Sequence, residues 1–205
     1  MMKVIKLIYI FIISSSFHNA FSQEEKILTK DSKLDFKPYF FIGFNAPFQY
    51  GNTALADAHS SNIGFSAQLG LLTFKGFYFG FGTDSDEYNV EKTELIGNYP
   101  ISKHNSYFAF LSYEFEVMKK ISFSPIIGFG SSELVIKKGG KRRGKQDGNE
   151  FRIGASINYN INKKNAICLN INYINNVYEV NTTESLQEYF SRSNQIQIGL
   201  GYKFM

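Results

Sequence analysis

The sequence predicts an all-β protein: one eight-stranded antiparallel transmembrane β-barrel wound as an up-and-down meander. Three observations carry this expectation. Eight segments alternate large apolar residues with small or polar ones at a period of two, which is the strand period and not the 3.6 of a helix. The connections between them are short and long in turn, as in barrels with tight turns on one side of a membrane and long loops on the other. The last segment ends on Tyr202 and Phe204, one residue before the carboxyl-terminal Met205.

The amino terminus reads as an export signal. Lys3 and Lys6 precede the apolar run from Leu7 to Ile13, and Ala20 and Ser22 hold the −3 and −1 positions of a cut before Gln23. Residues 1–22 are therefore expected to be a cleaved signal peptide, too short for a stable anchor. Residues 23–37 are expected to be a periplasmic segment and residues 38–205 the barrel domain. An uncleaved anchor is the alternative reading of residues 1–22.

The strands are read in order. Phe40, Ile42 and Phe44 face one way, with Tyr39, Phe41, Gly43 and Asn45 opposite. Ile63, Phe65, Ala67, Leu69 and Leu71 alternate with Gly64, Ser66, Gln68 and Gly70. Phe77, Phe79 and Phe81 alternate with Tyr78, Gly80 and Gly82. Residues 106–117 set Tyr107, Ala109, Leu111, Tyr113, Phe115 and Val117 against Phe108, Phe110, Ser112, Glu114 and Glu116. In the fifth segment Ile121, Phe123, Pro125, Ile127 and Phe129 oppose Ser122, Ser124, Gly128 and Gly130. Pro125 cannot donate to a ladder, so a bulge or local gap is expected beside it. The sixth and seventh segments place Phe151 to Ile161 and Ile167 to Tyr173 outward at alternate positions, and Arg152, Asn158, Cys168 and Asn170 inward. The eighth opposes Ile196, Ile198, Leu200, Tyr202 and Phe204 to Gln195, Gln197, Gly199, Gly201 and Lys203. Most are near the roughly 9–11 residues that a tilted strand needs to cross the hydrocarbon.

Composition agrees. There are 21 Phe and 13 Tyr but no Trp, and aromatic residues favour strands and both water–lipid boundaries. Loss of Lys3 and Lys6 with the leader takes the formal charge from +4 to +2, too balanced for nucleic acid as the main partner. The single cysteine, Cys168, forbids an intramolecular disulfide and reads as a small lumen filler. Residue content distinguishes the lipid-facing set from the lumen set. One set is aromatic and aliphatic, the other Gly, Ser, Asn and Gln, and the apolar set is too large for a soluble monomer to expose. A secreted lipocalin-like barrel, with its apolar face inward, is the competing arrangement.

The final strand resembles the carboxyl-terminal insertion signal of bacterial outer-membrane barrels, with Gln197, Gly199, Tyr202 and Phe204 matching its polar, glycine and aromatic positions in order. Met205 follows where that signal usually stops. Across its mature length the chain resembles small eight-stranded outer-membrane barrels, including the porin-like β-barrel domain family. The resemblance implies export to the outer membrane of a Gram-negative cell and contact with its lipid and lipopolysaccharide. It also implies recognition of the last strand by the barrel-insertion machinery. Such barrels serve as scaffolds, adhesins, minor channels or lipid-modifying enzymes, and fold does not choose among them.

Candidate sites follow from charge on the inward face and in the loops. Glu114, Glu116, Arg152 and Lys203 fall on the lumen side. An eight-stranded barrel is just wide enough for side chains to fill, so Lys203 is expected to pair with one or both glutamates. A narrow gated ion path is the alternative. The loop at 136–150 carries Lys137, Lys138, Lys141, Arg142, Arg143 and Lys145 among glycines. It is expected to be long, mobile and able to meet phosphate or acidic polysaccharide. Nucleic acid is not expected there, because no aromatic is interleaved.

The loop at 83–105 is expected to be acidic, with Asp84, Asp86, Glu87, Glu91 and Glu94, and able to hold a divalent cation or to lie against the basic loop, although its spacing does not match a calcium loop. Lipid-modifying barrels resemble one another in using His with Ser and an acid. His59 beside Ser60, and His104 between Ser102 and Ser106, are the positions available. No catalytic residue, cofactor or metal is assigned. The expected role is non-enzymatic: structural, or surface interaction through the long loops with a ligand the sequence does not name. A narrow channel and a lipid-modifying hydrolase or acyltransferase are the alternatives.

Overall fold

A computed structural model describes residues 35–205; the expected leader and residues 23–34 lie outside them. Eight long strands form a closed antiparallel ring: β1 (Asp35–Tyr50), β3 (Gly64–Phe74), β4 (Phe77–Val90), β5 (Ile101–Tyr113), β7 (Ile121–Lys138), β8 (Lys141–Asn162), β9 (Asn165–Tyr178) and β10 (Arg192–Phe204). Two short strands, β2 (His59–Ser61) and β6 (Phe115–Met118), pair with β4 and β7. The first and last strands close the ring from Phe40↔Phe204 to Tyr50↔Asn194. Closure leaves no edge around the lipid-facing girth, the condition for strands to cross a bilayer. No described helix is long and apolar enough to cross.

The inside–outside assignment follows the pleat. Phe44, Phe81, Tyr107, Phe129, Ile153, Ile171 and Leu200 are exposed, while Phe41, Phe108, Arg152, Asn172 and Gln197 on the alternate face are buried. This is a barrel with lipid outside, and not the inverted lipocalin arrangement.

Two departures have local causes. Leu71 was expected outward in strict alternation. Instead, the registers of both neighbours slip around it, between Gly70 and Leu72 against β4 and between Phe36 and Tyr39 against β1. Pro38 lies in that second slip and has no amide proton to give the ladder. Residues 106–117 form not one strand but two, β5 and β6, interrupted at Glu114. The ladder between β5 and β7 stops at Ser112↔Ile126 and resumes at Phe115↔Phe123, so the gap expected beside Pro125 is present. The ladder to β8 runs through Pro125↔Ala155 without a slip.

At one end the connections are tight: Lys75–Gly76, Lys119–Lys120 and Lys163–Lys164. The other end, called outer here, carries helices α1 (Ala54–Ala58), α2 (Thr93–Ile96) and α3 (Glu184–Ser191) and one tight hairpin. That hairpin corrects the expected mobile loop at 136–150. Lys138 pairs with Lys141 across Gly139 and Gly140, whose φ values are +60° and +72°, so a two-residue turn with both residues left-handed continues β7 straight into β8.

Lumen packing near the turn end pairs rings with glycines. Tyr39, Phe41, Phe108 and Phe110 point inward and form a buried cluster with Ala166 and Cys168. A Cβ on Gly70 would overlap the Tyr39 ring, one on Gly82 the Phe108 ring, and one on Gly201 the Phe41 ring. The small residues on one strand thus make room for the large ones on its neighbours. Gly82→Val is expected to destabilise the barrel by about 1–3 kcal/mol through overpacking, and Phe108→Ala in the same chain should recover part of the loss. The urea midpoint of the folded fraction in detergent micelles reads both.

Candidate functional site

The lumen is crossed by two charged clusters. In the lower one, Lys203 on β10 donates to Glu114 at 3.0 Å and lies over the Tyr39 ring at 4.4 Å. Ser122 also donates to Glu114, and Asn158 donates to Ser122 and Ser124. Glu114 and Lys203 thus meet across the barrel. Glu116 does not join them: it lies in β6 at the rim and is exposed, because the interruption at Glu114 leaves β6 beyond the filled section.

The upper cluster is centred on Arg152, fully buried on β8. Its Nη2 donates to Asp84 at 2.8 Å and its Nε to Glu150 at 2.6 Å. Its guanidinium carbon stands 3.3 Å over the Phe108 ring. Ser66 and Gln197 donate to the same Asp84. Beside it Asp86 contacts His104 Nδ1 at 3.3 Å. Asp84 and Asp86 were expected in an acidic loop. They sit inside the barrel because β4 runs on to Val90 and even-numbered positions keep facing inward. Glu150, expected at the end of the basic loop, is likewise a buried lumen residue. The low dielectric makes such a cluster stable only while its charges remain matched.

Above this cluster the outer mouth is covered. Helix α1 is capped by Thr53, whose hydroxyl accepts from the Ala56 amide. It buries Leu55 against Tyr88, Leu134 and Tyr178. Gln49 and Tyr88 both hydrogen-bond to Gln195 just beneath.

His59 lies next to α1, with Nε2 2.9 Å from Ser102 Oγ. The sequence suggested His59 with Ser60, or His104 with Ser102 or Ser106. The pairing of β2 and β5 with opposite edges of β4 makes the contact His59–Ser102 instead. Burial holds the His59 imidazole below its ordinary pKa, with backbone groups of Ala54 and Leu55 pulling the other way. A cavity of about 100 Å³ adjoins the pair, lined by Leu55, Ile96, Leu134 and Phe190 among others. Sequence spacing gave no signal for this contact, since 43 residues separate the two side chains.

Five of the six basic residues are placed together at the tip of the β7–β8 hairpin. Lys137 opposes Arg142 and Lys138 opposes Lys141, with Arg143 in the slip between Ile136 and Lys137. Lys145 stands apart: it pairs with Glu133 at 3.2 Å and with Asp147. Among the described residues, the other five have no carboxylate within 4 Å.

In the last strand, Gln197 and Gly199 face the lumen while Tyr202 and Phe204 face out, their rings 4.7 Å apart. Among the described residues, no group of three or more His, Cys, Asp or Glu side chains is arranged to hold a metal ion.

This fold is that of the small outer-membrane β-barrels. The chain is similar to the crystal structure of Neisserial surface protein A, at TM-score 0.54 and 14% identity, covering 84% of this chain and 98% of that one. It also aligns with Ail, the attachment invasion locus protein of Yersinia pestis, at TM-score 0.46 and 12% identity over 83% and 99% of the two chains. The N-terminal β-barrel domain of Pseudomonas aeruginosa OprF aligns at TM-score 0.44 and 12% identity, over 82% and 97%. No family model matches the chain, and no curated protein matches it in sequence.

Arg152→Met leaves Asp84 and Glu150 buried and unpaired, and is expected to cost about 3–5 kcal/mol of stability. Adding Asp84→Asn and Glu150→Gln should recover most of it. Urea unfolding of liposome-inserted protein distinguishes the two; an Arg152→Met barrel as stable as wild type would remove the cluster from its structural role.

Proposed function

We propose that this protein is a closed, non-enzymatic barrel of the bacterial outer membrane that displays its outer elements at the cell surface. In this reading it is exported by a cleaved leader and inserted through its last strand. Lipid and lipopolysaccharide surround its apolar belt. Its working surface is the outer rim: the α1 cap, helices α2 and α3, and the β7–β8 hairpin.

The observation that carries the proposal is closure of the lumen at two levels. The Arg152 cluster spans the barrel interior, with Asp84, Arg152 and Gln197 supplied by three different strands. The Leu55–Tyr88–Leu134–Tyr178 cluster covers the mouth above it. A barrel closed twice is suited to holding a surface in place and not to passing solutes. Planar bilayers containing the purified protein are expected to show no stepwise conductance in 1 M KCl. Regular steps that change with Lys203→Ala would replace the display reading with a narrow channel.

A second reading, an esterase, draws on the Ser102–His59 contact beside an apolar cavity, the nucleophile-and-base geometry of acyl transfer. Two facts favour the non-enzymatic reading. Ser102 is 1% exposed. His59 Nδ1 is buried with no acidic side chain against it to orient the ring. Hydrolysis of p-nitrophenyl butyrate by the folded protein is expected to equal the background rate. Turnover abolished by Ser102→Ala and by His59→Ala would establish the enzyme.

A further inference from the structure

The β7–β8 hairpin tip is built unlike the rest of the surface. Directly opposed residues in an antiparallel pair have Cβ atoms about 4.5–5.5 Å apart, and like charges there are destabilising. The tip nonetheless stacks Lys137 on Arg142 and Lys138 on Lys141, and adds Arg143 in the register slip just below these pairs, between Ile136 and Lys137. Two rungs lower the usual solution appears: Lys145 is set between Glu133 and Asp147. Lys138, Lys141, Arg142 and Arg143 are exposed and Lys137 half-buried.

Charge on an unpaired strand edge can serve only to repel other strands. The outer part of β8 has such an edge, because its pairing with β9 ends at Gly148↔Tyr178. Edge protection, however, does not require one sign. The same hairpin uses acids freely at Glu133 and Asp147 and has none from Lys137 to Arg143. The opposed cations keep a standing repulsion that an anionic partner would relieve.

Height selects the partner. The last outward aromatic on β7 is Phe129, 62% exposed, and Lys138 lies nine positions further along the strand. At about 3.3 Å per residue and a strand tilt of about 35–45°, the tip stands roughly 20–25 Å above that aromatic level. Lipid phosphates lie within roughly 8 Å of the hydrocarbon boundary. The tip is therefore above the headgroups of the membrane that holds it. No aromatic is present between Lys137 and Lys145, so the stacking platforms that bind single-stranded nucleic acid are missing.

We propose that the β7–β8 hairpin tip is a binding site for a soluble polyanionic polysaccharide carrying closely spaced sulfate or phosphate esters. Lys137, Lys138, Lys141, Arg142 and Arg143 form the contact set. The opposed pairs fall on the two faces of the ribbon, so an extended chain draped over the turn meets cations on both sides. The proposal deepens the display reading and rests on it for access to the ligand.

Two measurements separate the two ideas. Binding is measured on the folded full-length barrel in detergent, with a heparin-derived octasaccharide as the probe, by titration calorimetry at several salt concentrations. Wild type is expected to bind, with affinity falling steeply as salt rises. Lys138→Gln/Lys141→Gln/Arg142→Gln should weaken binding at least 10-fold, and Lys138→Arg/Lys141→Arg should retain it. Lys163→Gln/Lys164→Gln, at the opposite end, should change nothing. Heat-dependent gel mobility verifies that each variant is folded.

No binding by wild type overturns the proposal, as does equal loss in the tip and opposite-end variants, which would signify general charge attraction. Vesicles of phosphatidylglycerol that compete fully with the octasaccharide would move the partner to lipid phosphate and also overturn it. Separately, maleimide labelling of Gly140→Cys on intact cells, in a Cys168→Ser background, reads whether the tip faces outward. Labelling only after lysis would remove the display reading while leaving the binding result in solution untouched.

Discussion

Everything in this structure depends on closure of one hydrogen-bond ladder. Hydrocarbon offers no partner to a backbone amide, so an open sheet edge at that depth costs several kcal/mol per group. The ring has eight strands, and its decisive contact is β1 with β10, made between the two ends of the described chain. Once that seam forms, each strand has two neighbours and the exterior can be wholly apolar. The irregularities fall where the ladder tolerates them. Pro38 lies in a slip near the turn end, and Pro125 faces the break between β5 and β6.

Closure at eight strands then dictates the interior. The lumen is just wide enough for side chains to fill and too polar to be left unpaired. It is filled in layers: rings set against glycines, a lysine–glutamate pair, an arginine held by two acids, and an apolar cap under α1. The layers differ in chemistry but share one requirement, that each large or charged group on one strand finds a small or opposite group on another. The same requirement relaxes above the mouth. There the chain is free to carry the unmatched cations of the β7–β8 tip, since water can solvate them.

Much of this was legible in the residues. Strand number, the outward aromatic set and the inward set of Gly, Ser, Asn and Gln follow from a period of two and from the solvent on each side. The Glu114–Lys203 pair was legible too, because both lie on inward positions near one end. Glu116 was not separable from Glu114 by parity alone, as the strand break beside Pro125 decided its fate. The lengths of β4, β7 and β8 were also hidden. Once the apolar alternation stops, polar strands above a membrane look like loops, and Asp84, Asp86 and Glu150 read as solvent-facing when they are buried.

The sequence by itself determined the class of fold and the face each side chain takes, because pleat and solvent preference are local and repeat every second residue. Tertiary structure alone decided who meets whom. Arg152 finds Asp84 68 residues away, His59 finds Ser102 rather than its neighbour Ser60, and Lys137 is set against Arg142 by a glycine turn. These partnerships follow from the stagger of strands around a closed ring, which no single strand's pattern encodes.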